Sequence, residues 1–91
     1  MASDELLRAW GENIRSQRAL FTPDGTPRAS GADPVMTQAQ LGELLDPPVG
    51  QSTVARWEAG LMEPRRIYKA QLARVLVLDV RMLFPLTRSV A

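Results

Sequence analysis

Gln51, Ser52, Ala55 and Arg56 fall on one side of a helix predicted to run from about Gln51 to Ala59, while Val54 and Trp57 fall on the other. An amide, a hydroxyl, a methyl and a guanidinium assemble no nucleophile and no acid–base pair. They exchange hydrogen bonds and packing contacts with planar polar edges and with anions. Just upstream, Met36-Thr-Gln-Ala-Gln-Leu-Gly-Glu-Leu-Leu45 reads as another short helix, and Pro47-Pro48 forces a turn between the two. Two short helices joined by a brief turn, the second with a polar outward face and two buried anchors, is an arrangement that places side chains in a DNA major groove. An ordinary solvated helix face would carry the same residue types, so the rest of the chain has to decide between the two.

Composition narrows the choice. The 91 residues, 45% of them apolar, suffice for a single domain over residues 1–91 with one core. The chain has no Cys and no His, which removes disulfides, thiolate metal sites, the commonest general base and the commonest zinc ligand. Glu12 and Glu58 are the only pair worth considering as a catalytic acid and base, and nothing in the sequence gathers a nucleophile or a metal around them. The expectation is a protein that is not an enzyme and uses no metal, no cofactor and no small-molecule ligand. No apolar run approaches the roughly 18–20 residues that cross a bilayer, and the acidic start Met1-Ala-Ser-Asp-Glu is unlike a secretory signal. We therefore expect a soluble, cytoplasmic chain without a membrane partner.

The net charge of +1 conceals an asymmetry: residues 1–46 hold four Arg against seven Asp and Glu, whereas residues 47–91 hold seven cations against three acids. The basic half begins where the helix carrying Gln51 begins. Ten of the eleven cations are Arg, whose planar fork suits phosphates and guanine edges, although a GC-rich coding sequence would produce the same bias.

These side chains need elements to hold them. Ser3 can cap a first helix from Asp4 to about Leu20, with Leu7, Trp10, Ile14 and Phe21 as its buried stripe. Residues 22–35 lack any apolar period and are expected to form an inserted, mobile surface loop in which Arg28 could meet a phosphate. Thr37 and Gln40 have capping-box spacing and start the second helix, whose apolar face is Leu41, Leu44 and Leu45. Gly60 is placed to stop the third helix. Pro64 is expected in the first turn of a fourth, with Ile67, Leu72, Ala73 and Leu76 facing the core. Val75-Leu-Val-Leu78 would suit a buried strand as well as a helix. Asp79 can cap a last short helix through about Phe84.

The pieces Ile14-Arg15-x-x-Arg18, Thr37-Gln38-x-x-Leu41, Gln51-Ser52-Thr53-Val54-x-Arg56-Trp57-Glu58-x-Gly60, Pro64, Leu72-Ala73 and Leu83-Phe84, in this order and spacing, resemble the Cro/C1-type helix-turn-helix family, also called lambda-repressor-like or XRE. The resemblance covers about Trp10 to Phe84 apart from the loop 22–35. It implies an all-α fold, a compact five-helix bundle, and a small DNA-binding repressor or Cro-like protein of a phage, prophage or bacterium. By position it implies base contacts from Gln51, Ser52, Ala55 and Arg56. Phosphate contacts would come from Thr37, Gln38, Thr53, Arg65 and Arg66, with Gln38 bracing Gln51. It also implies an Arg18–Glu58 ion pair that locks the first helix to the third, with Arg15 solvated. Trp10, Phe21 and Trp57 are expected in the core.

Three features depart from the family pattern. The turn before Gln51 is about two residues longer than usual, Arg66 and Lys69 stand where apolar residues are commoner, and the loop 22–35 is inserted. Arg66 and Lys69 then either shift the register of the fourth helix or lay their aliphatic stems along the core. Arg65, Arg66, Lys69 and Arg74 fit a solvated basic face as well as a phosphate track.

The implied partner is double-stranded DNA, bound by a homodimer through residues 80–86 (Val80, Met82, Leu83, Phe84 and Leu86) or, if those residues merely close the core, by a monomer on an asymmetric site. The alternative from another class is an antitoxin-type interaction module that neutralises a partner toxin through the loop 22–35 or the tail 85–91.

Overall fold

A computed structural model describes residues 2–86. Five helices follow one another: α1 (Asp4–Arg18), α2 (Gln38–Glu43), α3 (Gln51–Glu58), α4 (Arg66–Val75) and α5 (Val80–Leu83). Among the described residues there is no strand, only an isolated bridge between Phe21 and Pro27, so the fold is all-α and Val75–Leu78 is a helix end and turn.

Local chemistry sets most of the boundaries. The Ser3 hydroxyl accepts from the Leu6 N–H at the start of α1, and Asp4 and Glu5 occupy the first turn, where the helix dipole favours negative charge. At α2 the capping box is complete: Thr37 Oγ1 accepts from the Gln40 N–H, and Gln40 Oε1 accepts from the Thr37 N–H. Gly60 lies just past α3 at φ +74°, with its N–H on Trp57 O and the Leu61 N–H on Arg56 O, the paired bonds of a Schellman stop. Asp79 caps α5 through the Arg81 N–H.

The start of α4 corrects the expectation for Pro64. Arg65, extended at ψ 157°, is the cap, so Pro64 lies outside the helix, where it is buried rather than serving as a first-turn residue. Ile67 is corrected too. It is 54% exposed, because Leu72 and Leu76 carry the core stripe while Tyr68 and Gln71 turn toward the segment before α3.

One core joins the elements: Trp10, Ile14, Phe21, Met36, Leu41, Leu45, Val54, Trp57, Leu72, Leu76, Leu83 and Phe84 are all buried. α1 and α3 touch backbone to backbone at Gly11, where an added Cβ would lie 2.4 Å from Glu58 O. α2 and the turn touch in the same way at Gly42, where it would lie 2.2 Å from Val49 O. Polar residues of α1 close the far side: Gln17 donates to Leu76 O and Asn13 to Leu83 O, satisfying carbonyls at the ends of α4 and α5. The Trp10 indole donates to Pro85 O and stands edge-on to the Phe84 ring at 5.7 Å.

The loop 22–35 folds back on itself. Thr22 and Thr26 both donate to Asp24, and these bonds hold its carboxyl below the usual carboxylate range. Arg28, expected to be available to a phosphate, instead donates to Ala19 O, Gly31 O and Asp33 O. Its guanidinium fork is occupied by backbone carbonyls.

Candidate functional site

Among the described residues, every buried side-chain nitrogen and oxygen has a hydrogen-bond partner. The most connected of these groups is Glu58. Its side chain is 1% exposed, a position in which an uncompensated carboxylate would cost several kcal/mol. Arg18 meets it side-on, Nε to Oε2 at 2.7 Å and Nη2 to Oε1 at 2.9 Å, while Arg18 Nη1 donates to Met36 O at 2.7 Å. The guanidinium therefore ties α1, α3 and the entry to α2 together. Arg15 adds a looser approach, 3.8 Å from Oε1, with its side chain 69% exposed.

From Glu58 a chain of hydrogen bonds runs outward. Gln38 Nε2 donates to Glu58 Oε1 at 3.0 Å, and Gln51 Nε2 donates to Gln38 Oε1 at 2.7 Å. A carboxylate only accepts, so the Gln38 amide must point its nitrogen inward and its oxygen toward Gln51. That oxygen in turn fixes the Gln51 amide. That bond uses one N–H of the Gln51 amide and leaves its other N–H and its carbonyl oxygen uncommitted to Gln38, and the residue is exposed.

On α3, Val54 and Trp57 are buried, as is Glu58; Gln51, Ser52 and Arg56 are exposed; Thr53 and Ala55 are half-buried. Glu58 is the only acid of the helix, and it is the one turned inward and paired. The outward face of α3 thus presents an amide, a hydroxyl, a methyl and a guanidinium. Beside it, a shallow concavity of about 220 Å³ between α3 and α4 is lined by Thr53, Trp57, Met62, Glu63, Arg65 and Tyr68. Arg65 and Arg66 are exposed at the start of α4, so Thr53 and Arg65 share one rim. Thr37 is exposed at the start of α2 and Gln38 half-buried beside Gln51.

Other sequence expectations resolve differently. Lys69 faces inward, with Nζ 4.3 Å above the Trp10 ring and 3.0 Å from a Glu63 oxygen, which lowers the Glu63 pKa. Its stem lies along the core, whereas Arg66 and Arg74 are exposed. Within residues 80–86, Leu83 and Phe84 are buried in the core and drop out of any self-association surface, leaving Val80, Met82 and Leu86 exposed. The tail reaches residues 87–91, which lie outside the described residues. Glu12 is exposed on α1 while Glu58 is committed to its partners, and among the described residues no three acids gather to hold a metal ion. Among the same residues no helix is long and apolar enough to cross a membrane.

Two residues that the sequence reading passed over, Tyr68 and Gln71, hold the turn before α3. The Asp46 N–H donates to Gln71 Oε1 and Gln71 Nε2 donates back to Asp46 O, both at 2.7 Å, while the Tyr68 hydroxyl donates to Pro47 O at 2.8 Å. The available signal was indirect: Pro47 and Pro48 have no N–H, so much of what fixes the turn had to come from elsewhere in the chain.

None of the family models, curated proteins or solved structures compared with this chain matches it.

Proposed function

We propose that the chain is a sequence-specific double-stranded DNA-binding regulator of transcription, a small repressor or Cro-like protein with a lambda-repressor-like bundle, that lays α3 in the major groove. The observation carrying this reading is the charge state of the α3 face. Its single carboxylate is buried against Arg18, so α3 itself brings no exposed acid to the edge of Gln51, Ser52 and Arg56, and the Glu63 carboxylate in the neighbouring concavity is paired with Lys69. A helix with its side chains is about 10–12 Å across, which a major groove about 12 Å wide admits.

Gln51 has one N–H and one carbonyl oxygen to offer, the pair that adenine N7 and N6 accept and donate to. Ser52, Ala55 and Arg56 follow along the same face. Arg65 and Arg66, with Thr37, Gln38 and Thr53, grip the flanking phosphates and supply most of the affinity without reading sequence. Two copies would join through Val80, Met82 and Leu86 and read half-sites one helical turn apart. The test is selection of bound fragments from a randomised duplex pool. Enrichment of a defined motif supports the reading, and recovery of unenriched sequence contradicts it.

A further inference from the structure

Where α3 points depends on the turn that feeds it, and that turn has few means of holding itself. Of the five residues Asp46 to Gly50, Pro47 and Pro48 donate no backbone hydrogen bond. The Val49 N–H goes back to Gly42 O at 3.1 Å, tying the end of the turn to α2. The start of the turn is held by α4. The Gln71 amide takes both the N–H and the carbonyl of Asp46, a two-bond clasp that copies a backbone pair. Three residues earlier on α4, Tyr68 donates its hydroxyl to Pro47 O, and its ring lies 5.6 Å from that of Trp57, an anchor in the last turn of α3. Tyr68 therefore touches both the lead-in to α3 and its far end.

We infer that Gln71 and Tyr68 are positioning residues that set how α3 is presented, and through it the sequence preference of the chain. This inference rests on the DNA-binding reading of α3 for its functional half only. Two hydrogen bonds from Gln71 fix Asp46 in direction as well as distance, which one bond from a flexible side chain would not do. The tilted ring contact fixes the rotation of α3 about its own axis, because Trp57 cannot roll without sliding across Tyr68. Displacing the helix by a fraction of an ångström misaligns Gln51 and Arg56 from base edges, while phosphate contacts made by long Arg side chains adjust. Loss of the clasp thus separates specificity from affinity, which simple destabilisation would not.

The test uses the full chain with Tyr68→Phe, Gln71→Leu and the shape-preserving Gln71→Glu, which keeps the acceptor for the Asp46 N–H and loses the donor. Amide chemical shifts and exchange rates are read without DNA. We expect changes concentrated in Asp46, Val49 and Gly50 and in Gln51–Val54, larger for Gln71→Leu than for Gln71→Glu, with α1 unaffected. Shifts in that segment unchanged from the parent, or spread evenly over all five helices, would overturn the positioning role.

The same variants are then titrated with the duplex selected by the parent chain and with a scrambled duplex. We expect the ratio of the two affinities to fall about tenfold, one misaligned base contact, with scrambled-duplex affinity held within about twofold. A preserved ratio would overturn the link to specificity. A parent chain that selects no sequence would instead refute the DNA-binding reading, and the amide measurements would still judge the clasp.

Discussion

Gln51 donates its side-chain amide to Gln38 at 2.7 Å, and the polarity of that bond is imposed from the core. Because Glu58 can only accept, Gln38 must turn its nitrogen inward, and the outermost amide inherits its orientation from a buried charge. Gln38→Glu would set a second carboxylate against Glu58 and remove the donor. We expect a loss of about 1–3 kcal/mol in urea unfolding and a change in preference at the base pair facing Gln51. Unaltered stability would mean that Gln38 and Glu58 do not share that bond in solution.

The Arg18–Glu58 pair gives a second prediction, on stability alone. Glu58→Ala leaves the Arg18 guanidinium, 15% exposed, without its counter-ion and should cost about 3–5 kcal/mol. Replacing both, Arg18→Met with Glu58→Leu, should restore much of that loss, since two desolvated charges vanish together. Chemical denaturation of Arg18→Met, Glu58→Leu and the double checks this, and additive losses would show that the pair does not act as a unit.

Gly42→Ala should destabilise even though alanine is the better helix former by about 1 kcal/mol. The new Cβ would lie 2.2 Å from Val49 O, a backbone atom that moves only if the turn before α3 moves. Overpacking of this kind typically costs about 1–3 kcal/mol. A rise in melting temperature for Gly42→Ala would show that the turn has slack.

Val77 carries the opposite opportunity. α4 ends in the same paired bonds as α3, Val77 N–H to Arg74 O and Leu78 N–H to Ala73 O, but with valine at φ +51° where α3 has Gly60. A β-branched residue is strained there, and Val77, 71% exposed, has little packing to offset it. We expect Val77→Gly to raise stability by about 1 kcal/mol in urea unfolding. A loss would mean that the exposed valine contributes to folding by another route.

Acid should weaken the fold through Asp24, Glu63 and Asp79, whose carboxyls are held low by Thr22 and Thr26, by Lys69, and by the Arg81 N–H respectively. A folded-state pKa below the unfolded one gives stability that is fully present above the unfolded value. That stability is lost as pH falls through the folded one, so the decline belongs below roughly pH 4. All three residues are exposed to solvent, which screens these interactions, so the effect is small. Urea midpoints between pH 6 and pH 3 test the sign, and a midpoint that rises on acidification would contradict it.

Much of this fold was legible because its signals are local. Ser3, the Thr37/Gln40 box, Gly60 and Asp79 each act within a few residues of the backbone groups they satisfy, and each marks an element boundary in the structure. The inward anchors Val54 and Trp57 followed from period alone. The Arg18–Glu58 pair, forty residues apart, came only with the family resemblance. What stayed hidden was long-range. Nothing near Arg28 says that three carbonyls of its own loop region will take its donors, and nothing near Gln71 says that Asp46 will come to it. Leu83 and Phe84 fitted a self-association surface and closure of the core alike, because a four-residue helix gives no periodicity. Phe84 stands against the Trp10 ring and Leu83 is fully buried in the same cluster, so both close the core.

The most direct measurement compares Gln51→Ala and Arg65→Ala with the parent on a selected and a scrambled duplex, across a salt series. Gln51→Ala should lose about 1–3 kcal/mol on the selected duplex alone, whereas Arg65→Ala should weaken both duplexes equally and lower the salt slope by about one unit. Equal losses on both duplexes for both variants, or no binding by the parent chain at low salt, would contradict an α3 edge that reads bases.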